Sequence, residues 1–488
     1  MGNDPRRDNQ NVDKVLREAR QAASLWAHRS SRKRARIIRH LRERIVQKRA
    51  SIVERVRTDS VKTHAEALIS DILPTVELLH YLEDNLPNIL KPESRPTPFI
   101  YEKSHSRVHY QPRGVVLVIA PWNNPFQLSL VPAISALAAG NAVILKPSEQ
   151  TPHVTQSVGE LFTEINIPPS TFQIVEGDGN LAQDLINSQP DMVFFTGSAR
   201  NGREVLKTAA DNLIPTTAEL GGKDPMIVFS DAQTERAIQG ALYGAFSHAG
   251  QHCVSTKRLY IESEIYETFL DQLTDAARDL SDTQEWGHIK NKGLSDDCTD
   301  MIHDALDDGA RLLLPDNSDH IAFRPTIVAD VDPSMRLVQQ ETFAPVLVAQ
   351  SFGDITEAIE LANSCPFGLN ASVWSRDIQL CEKVAPRIET GNVCANNVLT
   401  NIGNPHLPFG GIKRSGIGRY HGPEGVRSFC TTKSVMISKS TRQREPNWFP
   451  HNGKRKDFID SLIQLRHGDL SLPRRIIGWL KLGWQMIT

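Results

Sequence analysis

The 488-residue chain has no long hydrophobic run. No apolar segment reaches the roughly 18 to 20 residues that a membrane-spanning helix needs. The polar start MGNDPRRDNQ lacks the apolar stretch of a signal peptide. Arg6 breaks the myristoylation pattern that the Met-Gly start would otherwise open. Charge of one sign is lacking too: 55 Lys and Arg stand against 57 Asp and Glu, a formal net charge of −2. A nucleic-acid binder usually carries a large basic excess, so that class drops out. Cysteine is scarce. Cys253, Cys298, Cys365, Cys381, Cys394 and Cys430 form no CxxC pair and no metal-ligand spacing with histidine. That argues against a disulfide scaffold and a zinc site, and a reducing, cytoplasmic location is the simplest expectation. No internal repeat or low-complexity linker occurs.

The length predicts two or three domains. The 40% hydrophobic and 23% charged fractions are those of an ordinary globular protein. Residues 12 to 95 read as helices, with apolar positions at three- and four-residue spacing in VDKVLREARQAASLWAHRS and KRARIIRHLRERIVQKRASIVERVRT. Glutamates among the arginines mark a solvated helix face rather than a nucleic-acid surface.

From residue 115 the pattern changes. GVVLVIAPWN, AVILKPSE, FQIVEGDG, DMVFFTGS and TTAELGG read as strands running into polar turns, with helices expected at 129–140, 152–165, 179–188 and 200–212. Strands alternating with helices predict right-handed βαβ units and a parallel sheet. A second α/β segment runs from PMIVFSD to about residue 400. Its strands are expected at KRLYIE, RPTIVAD and APVLVAQSF, its helices at 232–249, 265–281, 354–363 and 376–388. Ligands of such sheets bind beyond the carboxyl ends of the strands, where PWNN, KPSE, FTGS and ELGGK all fall.

Taken singly, these clusters have modest meaning. Glu219 of ELGGK is a carboxylate that could act as a general base, or a surface or capping residue. Asn123 of PWNN is a neutral amide donor, suited to a developing oxyanion, yet loop asparagines are common. Lys146, Ser148 and Glu149 of KPSE offer a donor and an acceptor for a ribose hydroxyl pair. Gly197 and Ser198 of FTGS stand before a helix, a pyrophosphate site in principle, without the GxGxxG fingerprint. Cys253 in SHAGQHCVST is a nucleophile candidate. His252 beside it is the obvious partner, but adjacent side chains in a loop tend to diverge. The other five cysteines read as small buried hydrophobes.

The order of the motifs says more. PWN, AAGNAVILKPSE, FTGS, ELGGKDP, GQHC, ETFAPV and PFGGIKRSG resemble, in sequence, the NAD(P)-dependent aldehyde dehydrogenase superfamily, from about residue 15 to about 435. The resemblance implies an α/β fold with a Rossmann-like cofactor domain (1–96 and 114–220) and an α/β catalytic domain (221–414). It adds a β bridging arm (97–113 and 429–440), followed by a tail (441–488). It makes Cys253 the nucleophile, Glu219 the general base and Asn123, with the Cys253 backbone N–H, the oxyanion donor. Lys146 and Glu149, with Ser148 between them, would hold the adenosine ribose. Gly197, Ser198 and Trp122 would lie near the pyrophosphate, Glu341 on the nicotinamide ribose with Phe343 beside it, and Gly221 against the cofactor. Asn124 and Phe409 would face the substrate tunnel. No metal is implied, and the family gives His252 no role. Loop N–H groups, the positive nicotinamide and Glu219 through water are the expected activators of a thiolate of lowered pKa. Glu149 would repel a 2′-phosphate, so NAD is favoured over NADP.

The implied reaction is oxidation of an aldehyde through a cysteine thiohemiacetal and thioester. CoA-acylating chemistry and a catalytically silent homologue are the alternatives. Two positions depart from the family pattern: Asn124 stands where an aromatic residue is usual, and Ala344 where glycine is usual. Tyr420, His421 and Gly422 resemble the fatty and aromatic aldehyde class, which favours a hydrophobic medium- or long-chain or aromatic aldehyde over a small polar semialdehyde. The arm implies a homodimer or homotetramer through edge-strand pairing. The tail has nine Lys or Arg against four Asp or Glu and ends RRIIGWLKLGWQMIT, with Trp479 and Trp484. It is expected to lie on a membrane surface or to dock on protein.

Overall fold

The structure, a computed structural model, describes residues 5–101, 103–283, 286–290, 292–315, 324–445, 447–449, 451 and 453–487. For 5–11, 292, 294, 295, 454 and 481–487 only the backbone is described, so the Trp484 side chain lies outside the described residues. The chain divides into two compact units, Met1–Lys91 with Tyr110–Thr431, and Pro92–His109 with Thr432–Thr488.

The larger unit holds two sheets. The first has six strands in the order Gly416–Ile417, Thr216–Glu219, Met192–Thr196, Val115–Ile119, Ala142–Lys146, Phe172–Ile174, all parallel except the first. Its central strands are apolar up to the terminal Lys146 and Thr196 and buried on both faces, as a covered parallel sheet requires. Strand order reverses between Val115–Ile119 and its neighbours, so PWN and FTGS leave adjacent strand ends at a topological switch point. The second sheet has seven strands in the order Arg311–Leu314, Thr326–Ala329, Val346–Phe352, Thr256–Glu262, Asp224–Val228, Asn370–Trp374, Asn392–Ala395. Only Arg311–Leu314 runs antiparallel. Residues 220–223 join the two sheets, so Glu219 ends a strand of one and Asp224 begins a strand of the other.

The amino-terminal helices Ser31–Ser60 and Leu73–Ile89 pack Ile38, Leu41, Ile45, Leu78 and Leu82 into one core with Leu130 and Ile134 of the buried Pro125–Ala139 helix. That helix begins at Pro125, before the expected residue 129. Proline suits a first helical turn, and the buried Asp71 carboxylate accepts the N–H groups of Phe126 (3.0 Å) and Gln127 (3.2 Å). A cap supplied by a distant residue leaves no local mark in the sequence. The helix Lys292–Asp307 and the strands Arg311–Leu314, Asn370–Trp374 and Asn392–Ala395 were not among the expected elements.

The smaller unit contains most of a three-stranded sheet in the order Glu93–Arg95, Ser104–Pro112, Cys430–Ser438, with the first pair antiparallel. It also contains two helices in the tail, Gly453–His467 and Leu472–Ile487. Leu462 and Leu465 form a small core with Phe99, Phe458, Leu470 and Trp479. Among the described residues no helix is long and apolar enough to cross a membrane.

Candidate active site

Where the first sheet's strands end, the chain opens a cavity of about 410 Å³. Trp122 and Asn123 reach it from PWN, Gly197 and Ser198 from FTGS, Glu219 and Gly221 from ELGGK, Cys253 from its loop, and Glu341 and Phe343 from ETF. Nine of the residues singled out in the sequence thus share one wall. Lys146, Ser148, Glu149, Asn124 and Phe409 do not line this cavity.

Asn123 is buried, and its Nδ2 donates to the Gln251 carbonyl at 3.0 Å. One amide hydrogen is engaged there and the other remains for a ligand. Glu219 is buried with both carboxyl oxygens unpartnered among the described residues. Burial pushes its pKa well above the usual carboxylate range, and the nearby Arg419 charge only partly opposes this. A carboxyl without internal partners is available to a water molecule or a substrate.

The Cys253 thiol is half-buried. Burial pushes its pKa up, and the Asp224, Glu219 and Glu341 carboxyls add to the rise. A backbone N–H of the loop opposes the rise. His252 adds no positive potential. Burial and the Lys62 and Lys257 charges hold its pKa down to about 3, so the ring is neutral. Its Nδ1 faces Asn124 Nδ2 at 3.3 Å. Lys62, buried in an ion pair with Asp71, donates to the Asn124 side-chain oxygen. The Asn124 amide therefore points its NH₂ at His252, which fixes the proton on His252 Nε2. His252 is tied to Asn124, on the far side of the loop from the cavity that Cys253 enters.

That far side has its own cavity, about 640 Å³, reached by Asn124, Gln127, His252 and Val254. Its other walls include Ile69, Leu73, Tyr81, Tyr243, Leu399 and Ile402. His252 and Val254 flank Cys253 in sequence, so the cysteine loop is a partition with one cavity on each side. Phe409 is buried against Tyr420 and packs in the core rather than in this wall.

Residues that the sequence reading missed also shape the site. Arg336, Gln340, Thr196 and Leu220 line the smaller cavity. Gln251 pins the cysteine loop: its Nε2 donates to the carbonyls of His248 (3.0 Å) and His288 (2.8 Å), and its Oε1 accepts Lys290 N–H (2.9 Å). Lys290 Nζ donates to the Gln150 carbonyl at 2.7 Å and lies 6.0 Å from the Trp122 ring, which links the KPSE turn to PWN. The hold exerted by Gln251 and Lys290 runs to distant backbone, which no local pattern reveals.

A dinucleotide fits this arrangement on three counts. The Ala199–Asp211 helix starts at the cavity with Ser198 as its N-cap, an anion-ready end. Trp122 and Phe343 meet edge to face at 5.7 Å. Glu341, half-buried and with its pKa raised to about 7 by desolvation, lies directly over Gly221. At the end of the neighbouring Ala142–Lys146 strand, Lys146 Nζ pairs with Glu149 at 3.3 Å, and Ser148 Oγ accepts Gln150 N–H at 3.2 Å.

The family pattern of the aldehyde dehydrogenases matches residues 1–435. The chain belongs to the aldehyde dehydrogenase family. It is 38% identical over 469 residues to a 4,4′-diapolycopene aldehyde oxidase of Methylomonas, covering 95% of this chain and 88% of that one. It is 31% identical to a putative NADP(+) succinate-semialdehyde dehydrogenase of Mycobacterium bovis, covering 95% and 90%. Among solved structures, a betaine aldehyde dehydrogenase of Staphylococcus aureus in complex with NAD+ superposes with a TM-score of 0.83 at 29% identity, covering 91% of this chain and 90% of that one. As an aldehyde dehydrogenase this chain is an NAD(P)-dependent oxidoreductase of α/β fold.

Proposed function

We propose that this aldehyde dehydrogenase oxidises a hydrophobic medium- or long-chain or aromatic aldehyde to its carboxylic acid with NAD. The observation that carries the reading is the convergence of Cys253, Glu219 and Asn123 on one cavity beside the helix end at Ser198. The Cys253 thiolate attacks the carbonyl carbon, and Asn123 Nδ2–H with a backbone N–H holds the oxyanion. A nicotinamide held by Glu341 and the turn at Ser198 would supply the hydride acceptor that thioester formation needs. Glu219 then takes a proton from the water that attacks the thioester, and the acid leaves.

The aliphatic and aromatic wall of the larger cavity supports an apolar substrate, as does likeness to a relative named for diapolycopene aldehyde. Asn124, Gln127 and His252 in the same wall favour the second reading, a small polar semialdehyde, as does the relative named for succinate semialdehyde. Glu149 supports NAD over NADP through repulsion of a 2′-phosphate. Glu219 favours water over CoA as the acyl acceptor. The arm's edge strand Cys430–Ser438, with Met436 and Ile437 exposed, supports pairing with a second copy in a homodimer or homotetramer.

The test is NADH formation with NAD and without CoA, across straight-chain aldehydes of increasing length, benzaldehyde and succinic semialdehyde. Efficiency rising with chain length supports the apolar reading. A peak at the semialdehyde replaces it with the polar one. Turnover only with CoA overturns hydrolytic release.

A further inference from the structure

The helix Leu472–Ile487 carries its apolar side outward. Leu472, Ile476 and Leu480 recur every four residues and so share one face, with Ile477 beside them. All four are exposed, Leu472 and Leu480 by 73% and 71%. The opposite side is the packed one. Gly478 abuts Leu465 of the Gly453–His467 helix so closely that a methyl group there would collide with it. Trp479, three residues on from Ile476, borders the stripe and meets Phe99 edge to face at 5.2 Å. Leu472, Ile476, Ile477 and Leu480 form an apolar surface beyond it that the unit's own small core leaves bare.

The charge around that face has one sign. The helix contains no Asp or Glu, and Arg474 and Arg475 fall on either edge of the apolar stripe. Sixteen residues of helix span roughly 24 Å, short of the ~30 Å hydrocarbon thickness. Such a helix can lie in an interface but not cross it. An apolar stripe bordered by arginines fits the plane between lipid headgroups and acyl chains. It fits a copy of itself poorly, since a two-fold contact through this face would set arginines of one sign against each other. The stretch also lies beyond residue 435, where the match to the family pattern ends.

We propose that the outward face of the Leu472–Ile487 helix docks this protein on the surface of an anionic lipid bilayer, with Leu472, Ile476, Ile477 and Leu480 inserted and Arg474 on headgroup phosphates. The docking is independent of which aldehyde is oxidised.

The experiment is flotation of the full-length protein with vesicles of phosphatidylcholine alone, and with vesicles in which about a third of the lipid is phosphatidylglycerol. The protein is expected to float with the anionic vesicles and to remain behind with the neutral ones. The double variant Ile476→Glu, Leu480→Glu alters two exposed side chains. It is expected to lower the vesicle-bound fraction at least about tenfold. NADH formation with a short water-soluble aldehyde is expected to be unchanged, which shows that the variant folds. Arg474→Gln is expected to weaken the preference for anionic lipid. Wild-type protein that fails to float with anionic vesicles overturns the proposal. So does a double variant that floats like wild type. A double variant that changes the sedimentation coefficient, with no vesicle binding by either form, assigns the face to a second copy instead.

Discussion

Asn123 and Gln251 join two halves of the candidate site through one bond: the Asn123 amide donates to the Gln251 carbonyl at 3.0 Å. The loop after the Val115–Ile119 strand is thereby fixed to the loop that carries Cys253. Gln251 cannot drift, because its side chain holds His248, His288 and Lys290 backbone groups at once. A donor fixed before the reaction needs no reorganisation when negative charge develops. Asn123→Ala is expected to lower kcat by about 10²- to 10³-fold, with the Kd for NAD little changed. Steady-state NADH formation and cofactor titration measure the two effects separately. A kcat within a few-fold of wild type would take Asn123 out of the oxyanion site.

Glu219 has a raised pKa, and the sign of its effect on stability follows. Between the ordinary carboxylate pKa and its raised folded value, the folded state holds a proton that the unfolded chain has lost. Stability therefore falls as pH rises through that window. Glu219→Gln removes this contribution, so its melting temperature relative to wild type should climb from pH 5 to pH 9. The kinetic effect has a different direction. The variant should form the thioester once and release acid slowly, seen as a rapid burst of NADH with little turnover afterwards. A normal steady-state rate would exclude Glu219 as the base.

His252 stands next to the nucleophile without serving it. Its ring is neutral, with a pKa held down to about 3, and Nδ1 is engaged with Asn124 at 3.3 Å. A neutral ring lends no positive potential to a thiol. His252→Gln is expected to keep the rate of thiol alkylation at Cys253, and its pH profile, close to wild type. A large upward shift of that profile would restore the Cys/His pair.

Lys62 and Asp71 form a buried ion pair beneath the Asn124 side chain. Lys62→Met leaves the Asp71 carboxylate with the Phe126 and Gln127 N–H groups and the Ser70 hydroxyl, none of them a charge. Breaking one partner of a buried pair costs about 3 kcal/mol or more. Chemical denaturation should show the midpoint move down accordingly. The Asn124 amide also loses its orientation, so KM for aldehyde should change more than kcat does.

The sequence made much of this legible, for identifiable reasons. The strands of the first sheet are short apolar runs closed by Gly, Pro and Ser, and a run buried on both faces cannot hide in the sequence. Glu219 and Asn123 stand at strand ends, where ligand-binding groups of parallel sheets collect, but their expected roles came from the resemblance carried by the order of the motifs. What escaped depends on contacts between distant segments. The early start of the Pro125–Ala139 helix depends on Asp71, the hold on the cysteine loop on Gln251, and the orientation of Asn124 on Lys62. Phe409 shows the converse. Its motif suggested the substrate tunnel, yet its side chain is buried against Tyr420, and only packing decides which side of a loop an aromatic ring takes.

Gly221 and Glu341 make the sharpest steric test. A methyl group at position 221 would collide with the Glu341 carboxyl, which now lies directly over the glycine. Gly221 has no special backbone angle, so alanine alters the space and not the fold of the turn. Glu341 is half-buried with its pKa raised to about 7, and Lys223 and Lys257 partly offset the cost of its desolvation. Displacing it removes a carboxylate acceptor from the cavity, worth roughly 1.5 to 3 kcal/mol for a charged hydrogen bond. Gly221→Ala is therefore expected to weaken NAD binding by about tenfold or more and to leave the thermal transition nearly unmoved. Glu341→Gln, which keeps the shape and loses the charge, should weaken it less. Should Gly221→Ala bind NAD as tightly as wild type, Glu341 does not hold the cofactor in this enzyme.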